Sequence, residues 1–119
     1  MPIKIAGTDL LLKLLDAATE RHQVLAGNIA NQNTPGYKRQ VLKFEEFVQK
    51  EISRGEQDLA SVEAEICLDT VTPGRADGNN VNLEKEHASL RENMLRYELY
   101  SAIMKGRGDM LRSAIHGDR

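Results

Sequence analysis

The chain has 119 residues, 16 basic and 18 acidic groups, a formal net charge of −2, 40% hydrophobic residues and no tryptophan. That length suits one small domain, or two helices with a linker, and excludes a multidomain enzyme; the near-neutral balance gives no overall electrostatic reason to bind nucleic acid. No stretch is long and apolar enough to predict a membrane span, Met1 to Thr8 lack the basic and apolar parts of a secretory leader, and the single Cys67 excludes an internal disulfide framework.

Charge is spread unevenly. Residues 1–55 carry eight basic and six acidic groups, residues 56–90 two and eight, and residues 91–119 six and four. The acidic middle also holds Pro73, Gly74 and Gly78 and reads as a connector between two better-ordered ends.

A first helix is expected over 9–31, with Thr8 as its cap and Asp9 at the positive end of its dipole. Leu11, Leu15, Ala18, His22, Leu25 and Ile29 follow the alternating spacing of a coiled-coil seam. Leu10, Leu12 and Leu14 add apolar surface off that seam, so the first turns are apolar on more than one face. Gln32, Asn33, Thr34, Pro35 and Gly36 stop the helix, because proline lacks the amide donor and Pro-Gly favours a tight turn.

Phe44, Phe47, Val48 and Ile52 make a short amphipathic stretch, closed by Gly55. Ala60, Val62, Ala64, Ile66 and Leu68 then alternate with polar residues, which favours a strand, although alanine and glutamate would also allow a helix. A last helix is expected over 83–115, capped by Asn82. Leu83, His87, Leu90, Met94, Tyr97, Ser101 and Met104 form its seam, and Leu95, Leu99, Ala102 and Ile103 form a second strip. Gly106 and Gly108 each cost about 1 kcal/mol relative to alanine inside a helix, so a kink or fraying is expected there.

These elements predict a mainly α fold. Two long terminal helices form an antiparallel coiled-coil-like pair, joined through a short middle helix and an irregular or small β connector. The expected arrangement is one domain over 1–119: a helix over 8–31, turn, short helix and connector over 32–81, and a helix over 82–115. Periodicity leaves open whether the apolar faces close a small bundle or complete their packing on other subunits.

Residues for chemistry are not assembled in the sequence. No phosphate-binding glycine loop is present, and His22, His87 and His116 lack metal-ligand spacing. His22 and His87 fall on the two seams and are expected to meet if the terminal helices pair. Cys67 lies in an acidic neighbourhood unsuited to a nucleophile. No catalytic residue, cofactor or metal is therefore assigned.

One run is more distinctive. Asn28-Ile29-Ala30-Asn31-Gln32-Asn33-Thr34-Pro35-Gly36-Tyr37-Lys38 resembles the signature of the bacterial flagellar axial proteins, the rod, hook and hook-associated group. Gly78 to Glu86, then Glu92-Asn93-Met94-Leu95-Arg96-Tyr97, and Met110 to Ile115 are similar to the small basal-body rod proteins. The Gln-Arg-Ala-Tyr-Glu core of the other small-rod branch is absent.

The resemblance implies a structural, non-enzymatic subunit of the proximal rod that transmits torque. It also implies synthesis in the cytoplasm, export through the flagellar type III apparatus and assembly in the periplasmic rod. The implied partners are other rod subunits, basal-body base proteins, the export gate and further copies of the chain, with no nucleic acid and no direct membrane span. Leu11, Leu15, Leu25, Ile29, Leu90, Met94, Tyr97 and Met104 are expected to carry helix packing and assembly, with the off-seam Leu10, Leu12 and Leu14 facing neighbouring molecules. Asn28, Asn31, Thr34, Pro35, Gly36 and Tyr37 form the motif turn, and Phe44 and Val48 are candidates for recognition by the export gate. The alternative is a cytoplasmic helical adaptor or chaperone that binds a partner through the same heptad faces.

Overall fold

A computed structural model describes residues 7–55 and 59–117. The first six residues, on which the expectation of no leader chiefly rests, lie outside that range. The element order is α1 (Thr8–Ala30), β1 (Gln40–Lys43), α2 (Glu45–Ser53), a single 3-10 turn (Leu59–Ser61), β2 (Glu65–Leu68) and α3 (Leu83–His116).

Helices α1 and α3 run antiparallel, with Ala18 of α1 beside Asn93 of α3 and Asn28 beside Glu86. This is the expected mainly α pair. Its register on α1 differs from the apolar seam: Leu11, Ala18 and Leu25 are buried, but Arg21 and Asn28 occupy the intervening buried positions. His22 is exposed and Ile29 half-buried. Of the buried residues of α1, which also include Ala17 and Val24, the row 11, 18, 21, 25 and 28 keeps the heptad repeat but takes the other choice between spacings of three and four. Polar Arg21 and Asn28 are tolerated inside because their side chains are hydrogen-bonded within the chain. The two histidines do not meet, since His87 is exposed and falls about one turn beyond His22 in this register.

Leu10 and Leu14 turn inward, contrary to the expectation that they face neighbours. They pack with Ala17 against Leu42, Phe44 and Val48, where β1 and α2 cover the first half of α1. Only Leu12 of that group is exposed. The helix also starts differently at its N-terminus. Gly7, in the left-handed conformation at φ 80°, takes the cap position, and the Thr8 hydroxyl is buried without a hydrogen-bond partner among the described residues.

The connector is more ordered than its composition implies. Strands β1 and β2 pair antiparallel, with Gln40 opposite Leu68 and Lys43 opposite Glu65. Residues 40–43 give no strand signal in the sequence, and the expected strand over 60–68 shortens to Glu65–Leu68 after the 3-10 turn. Pairing, not alternation, decides both lengths. Val62 and Ala64 pack on the core, whereas Ile66 and Leu68 remain exposed.

Helix α3 runs unbroken for 34 residues, about 51 Å at 1.5 Å per residue. Asn82 caps it as expected, its Oδ1 accepting from the Lys85 N–H at 3.1 Å. Gly106 and Gly108 do not end it. Each costs about 1 kcal/mol, but propagation adds a hydrogen bond per residue and the helix continues to Gly117, whose φ of 68° closes it. No helix among the described residues is long and apolar enough to cross a membrane.

Candidate functional site

The residues of the motif turn are brought together with the start of α3 by asparagine side chains. An asparagine carries both an amide donor and a carbonyl acceptor, so it can bond two backbone groups at once, as a strand neighbour would. Asn28, at the last turn of α1, donates through Nδ2 to the Gln40 carbonyl at 2.9 Å and to the Glu86 carboxylate at 3.2 Å. Its Oδ1 accepts from the Gln40 N–H at 2.9 Å and from the Tyr37 hydroxyl at 3.0 Å. One side chain thereby joins helix, turn, strand and second helix.

Asn79 and Asn80 repeat the device from the connector. The Asn79 Nδ2 donates to the carbonyls of Asn31 and Thr34 at 2.9 and 2.8 Å, holding the freed end of α1 and the turn. Asn80 accepts from the Arg39 N–H at 2.7 Å and donates to the Asp69 carbonyl at 2.9 Å. Thr34 hydrogen-bonds Asn31, and Asn31 donates back to the Gly27 carbonyl at 2.8 Å. Pro35 and Gly36 are exposed at the tip. Gly36 sits at φ 75°, where a β-carbon is strained, and its N–H donates to the Asp77 carbonyl at 2.8 Å. Gly74 is required for a different reason: a β-carbon there would lie 2.8 Å from the Gly78 carbonyl oxygen.

Charge completes the latch. Glu86, only 1% exposed, accepts from Nε of Arg39 at 2.5 Å, and the same guanidinium reaches Asp69 at 2.8 Å. Further along the helix pair, Arg21 donates to Glu45 at 2.5 and 3.1 Å and to Asn93 Oδ1 at 3.3 Å, while Asn93 Nδ2 donates to the Ala18 carbonyl at 2.8 Å. The Tyr100 hydroxyl also reaches Glu45 at 3.2 Å. Interhelical packing is therefore specified by hydrogen bonds as much as by apolar contact. Signals for Asn79, Asn80, Glu86 and Asn93 exist only in the runs that carry the family resemblance, and Arg21 has none. A search for apolar periodicity passes over all five.

These ionised groups give the fold an acid limit. The Thr72 hydroxyl and N–H, together with Arg39, hold the Asp69 carboxyl well below the usual carboxylate range. Burial pushes Glu45 up, but hydrogen bonding to Arg21 outweighs it and Glu45 also lies below its ordinary value. A carboxyl lowered by folding stabilises the fold above its unfolded pKa and loses that contribution as pH falls through the folded value. The urea midpoint should therefore contain no loss from Asp69 or Glu45 above about pH 5 and should fall below about pH 4. Circular dichroism of Asp69→Asn should show a shallower acid limb.

The remaining expected site residues divide by exposure. Leu11 and Leu25 are buried; Leu15, Ile29, Leu90 and Met104 are half-buried. Met94 and Tyr97 are about half exposed and, with Ala18 and His22, line an apolar groove of about 370 Å³ between α1 and α3. Phe44 and Val48 lie in the core beneath α1, so the folded chain does not present them. Leu95, Leu99, Ile103, Met110 and Ile115 stand out into solvent around the rest of α3, with Leu95 at 65% and Met110 at 74% exposure.

Among the described residues no catalytic group is assembled in this way. The described residues hold no group of three His, Cys, Asp or Glu able to bind a metal. The Cys67 thiol is pushed up by its hydrogen bond to Glu65, away from the reactive thiolate. A polar cleft of about 790 Å³ lies beside the latch, but its charged walls include Arg39, Arg75 and Glu86, which are already hydrogen-bonded within the chain.

Comparison with known proteins agrees with the geometry. No family model matches the chain. The chain is similar to the flagellar basal body rod protein FlgB of Escherichia coli (strain K12), at 31% identity over 77% of this chain and 80% of that protein. It is 30% identical to FlgB of Aquifex aeolicus (strain VF5), covering 93% of this chain and 94% of the relative. It is 28% identical to FlgB of Bacillus subtilis (strain 168), covering 88% and 89% respectively.

Proposed function

The chain belongs to the FlgB family of flagellar basal body rod proteins, and from that premise we propose that it is a structural subunit of the proximal rod. It assembles through its two terminal helices and carries torque; it is not an enzyme. The observation that carries this reading is the distribution of apolar side chains on α3. Met94, Leu95, Leu99, Ile103, Leu111 and Ile115 surround the helix, while the side facing α1 is held by Glu86 and Asn93. Large apolar side chains left exposed on several faces of one helix, among its charges, mark contact surface for partners, and one partner helix covers one side. The missing cover is supplied by other subunits.

The latch adds the rigidity such a role needs. It fixes the turn after α1, the two-stranded sheet and the start of α3 to one another, so load applied to either terminal helix is shared by the connector. On this reading the partners are other rod subunits, basal-body base proteins and further copies. The chain is exported through the flagellar apparatus and works in the periplasmic part of the rod.

The test is fractionation of flagellated cells producing the chain with an epitope at an exposed site. A rod subunit should copurify with detergent-extracted basal bodies and disappear from them when a neighbouring rod subunit is deleted. Recovery only from the cytoplasm, bound to a soluble partner, would favour a helical adaptor and overturn the rod reading.

A further inference from the structure

Among the described residues, helix α3 extends past the start of α1. Gly7, at the start of α1, lies against the guanidinium of Arg107, with the position of a β-carbon 3.0 Å from Arg107 Nη2. Residues 108–116 continue beyond that point as helix, about 13 Å at 1.5 Å per residue. At 3.6 residues per turn, Gly108, Leu111 and Ile115 fall on the same stripe as Leu90, Asn93 and Met104, which faces α1 along the paired part. The stripe thus continues past the end of α1, and there Ile115 is 71% exposed. Lys105 and Arg112 flank it, both exposed. Among the described residues from 104 onward, Lys105, Arg107 and Arg112 stand against Asp109 as the only acid. The exposed pair of Arg112 with Asp109 is weak and readily exchanged.

The opposite charge lies on the outside of α1. Its two cations are already paired within the chain: Lys13 to the Val62 carbonyl and Glu63, Arg21 to Glu45 and Asn93. Asp16 and Glu20 make no ion pair among the described residues. Both line a groove of about 530 Å³ between α1 and the two-stranded sheet, together with Val24, Gln40 and the exposed Ile66. That groove contains two carboxylates, apolar side chains and no cation.

We propose that the overhanging end of α3 in one copy of the chain seats in this acidic groove of a second copy. Leu111 and Ile115 meet Val24 and Ile66, while Lys105 and Arg112 meet Asp16 and Glu20. Gly108 leaves room for close approach of the two helices. Donor and acceptor surfaces differ, so the contact is heterologous and propagates as an open assembly. The proposal rests on the rod reading and specifies which surfaces join like copies within it.

Sedimentation velocity of the purified full chain over a concentration series tests it, with circular dichroism to verify the fold. The wild type should self-associate, and added salt should weaken the association. Asp16→Lys with Glu20→Lys should weaken it about tenfold or more, as should Lys105→Glu with Arg112→Glu. Combining all four should restore association to near the wild-type level. A wild type that stays monomeric at every concentration overturns the second copy as occupant, and other rod subunits then become the candidates. Association indifferent to the reversals, or not restored by the fourfold swap, overturns the seat. Neither outcome alters recovery of the chain in basal bodies, so failure of the seat is distinct from failure of the rod reading.

Discussion

Glu86→Ala should destabilise the chain by about 3–5 kcal/mol, the range found when one partner of a buried ion pair is removed. Glu86 lies in the first turn of α3, where a carboxylate also suits the helix dipole, yet dipole interactions contribute only about 0.3–1 kcal/mol at an exposed site. The larger effect comes from what alanine leaves behind. Arg39 keeps Asp69 but loses its Nε acceptor, and Asn28 loses one of the two acceptors of its amide. Both groups are then desolvated without full compensation. Glu86→Gln keeps the shape and one acceptor, and should cost less than the alanine substitution. Urea unfolding followed by circular dichroism measures the series. A Glu86→Ala midpoint equal to wild type would show that the latch does not stabilise the helix pair. Small domains are stable by only about 5–15 kcal/mol, so the alanine variant should also be depleted in cells.

Leu95→Asp combined with Leu99→Asp should do the reverse, leaving the fold intact and removing assembly. Both side chains are exposed, at 65% and 57%, and substitutions on an exposed face usually change stability by less than about 0.5 kcal/mol. At an interface each leucine contributes about 1.5–3 kcal/mol when buried, and a carboxylate in its place must be desolvated as well. Cells carrying only this variant should be non-motile and lack it in basal bodies, while the purified chain keeps its helical spectrum. Normal motility would mean that this strip faces water in the rod. The two variants together separate folding from assembly: one acts on the buried polar side of α3 and the other on its exposed apolar side.

The contrast between those two sides also explains what was legible in the sequence. Helix periodicity placed α1 and α3 within a residue or two, and Asn82 marked the start of α3 correctly. Leu11, Ala18 and Leu25 were recognisable as the inner face because they are apolar and seven residues apart. Between them the pattern allows positions 21 and 28 as readily as 22 and 29, and hydropathy selects His22 and Ile29. The fold selects Arg21 and Asn28 because Glu45, Asn93, Gln40 and Glu86 arrive from distant segments to bond them. Those partners lie 12 to 72 residues away, so no local window contains them. Strand β1 escaped notice for the same reason, since four residues become a strand only when β2 pairs with them.

The sequence by itself determined the two long helices, the end of α1 ahead of Pro35 and Gly36, and the resemblance to the rod family. Local periodicity, capping and turn chemistry are properties of neighbouring residues and need no fold to be visible. Only the tertiary structure decided which face of each helix is inside, how the asparagines join the motif turn to α3, and where α3 runs past the end of α1. Those features depend on long-range hydrogen bonds and on relative helix lengths, which exist only once the segments are packed together.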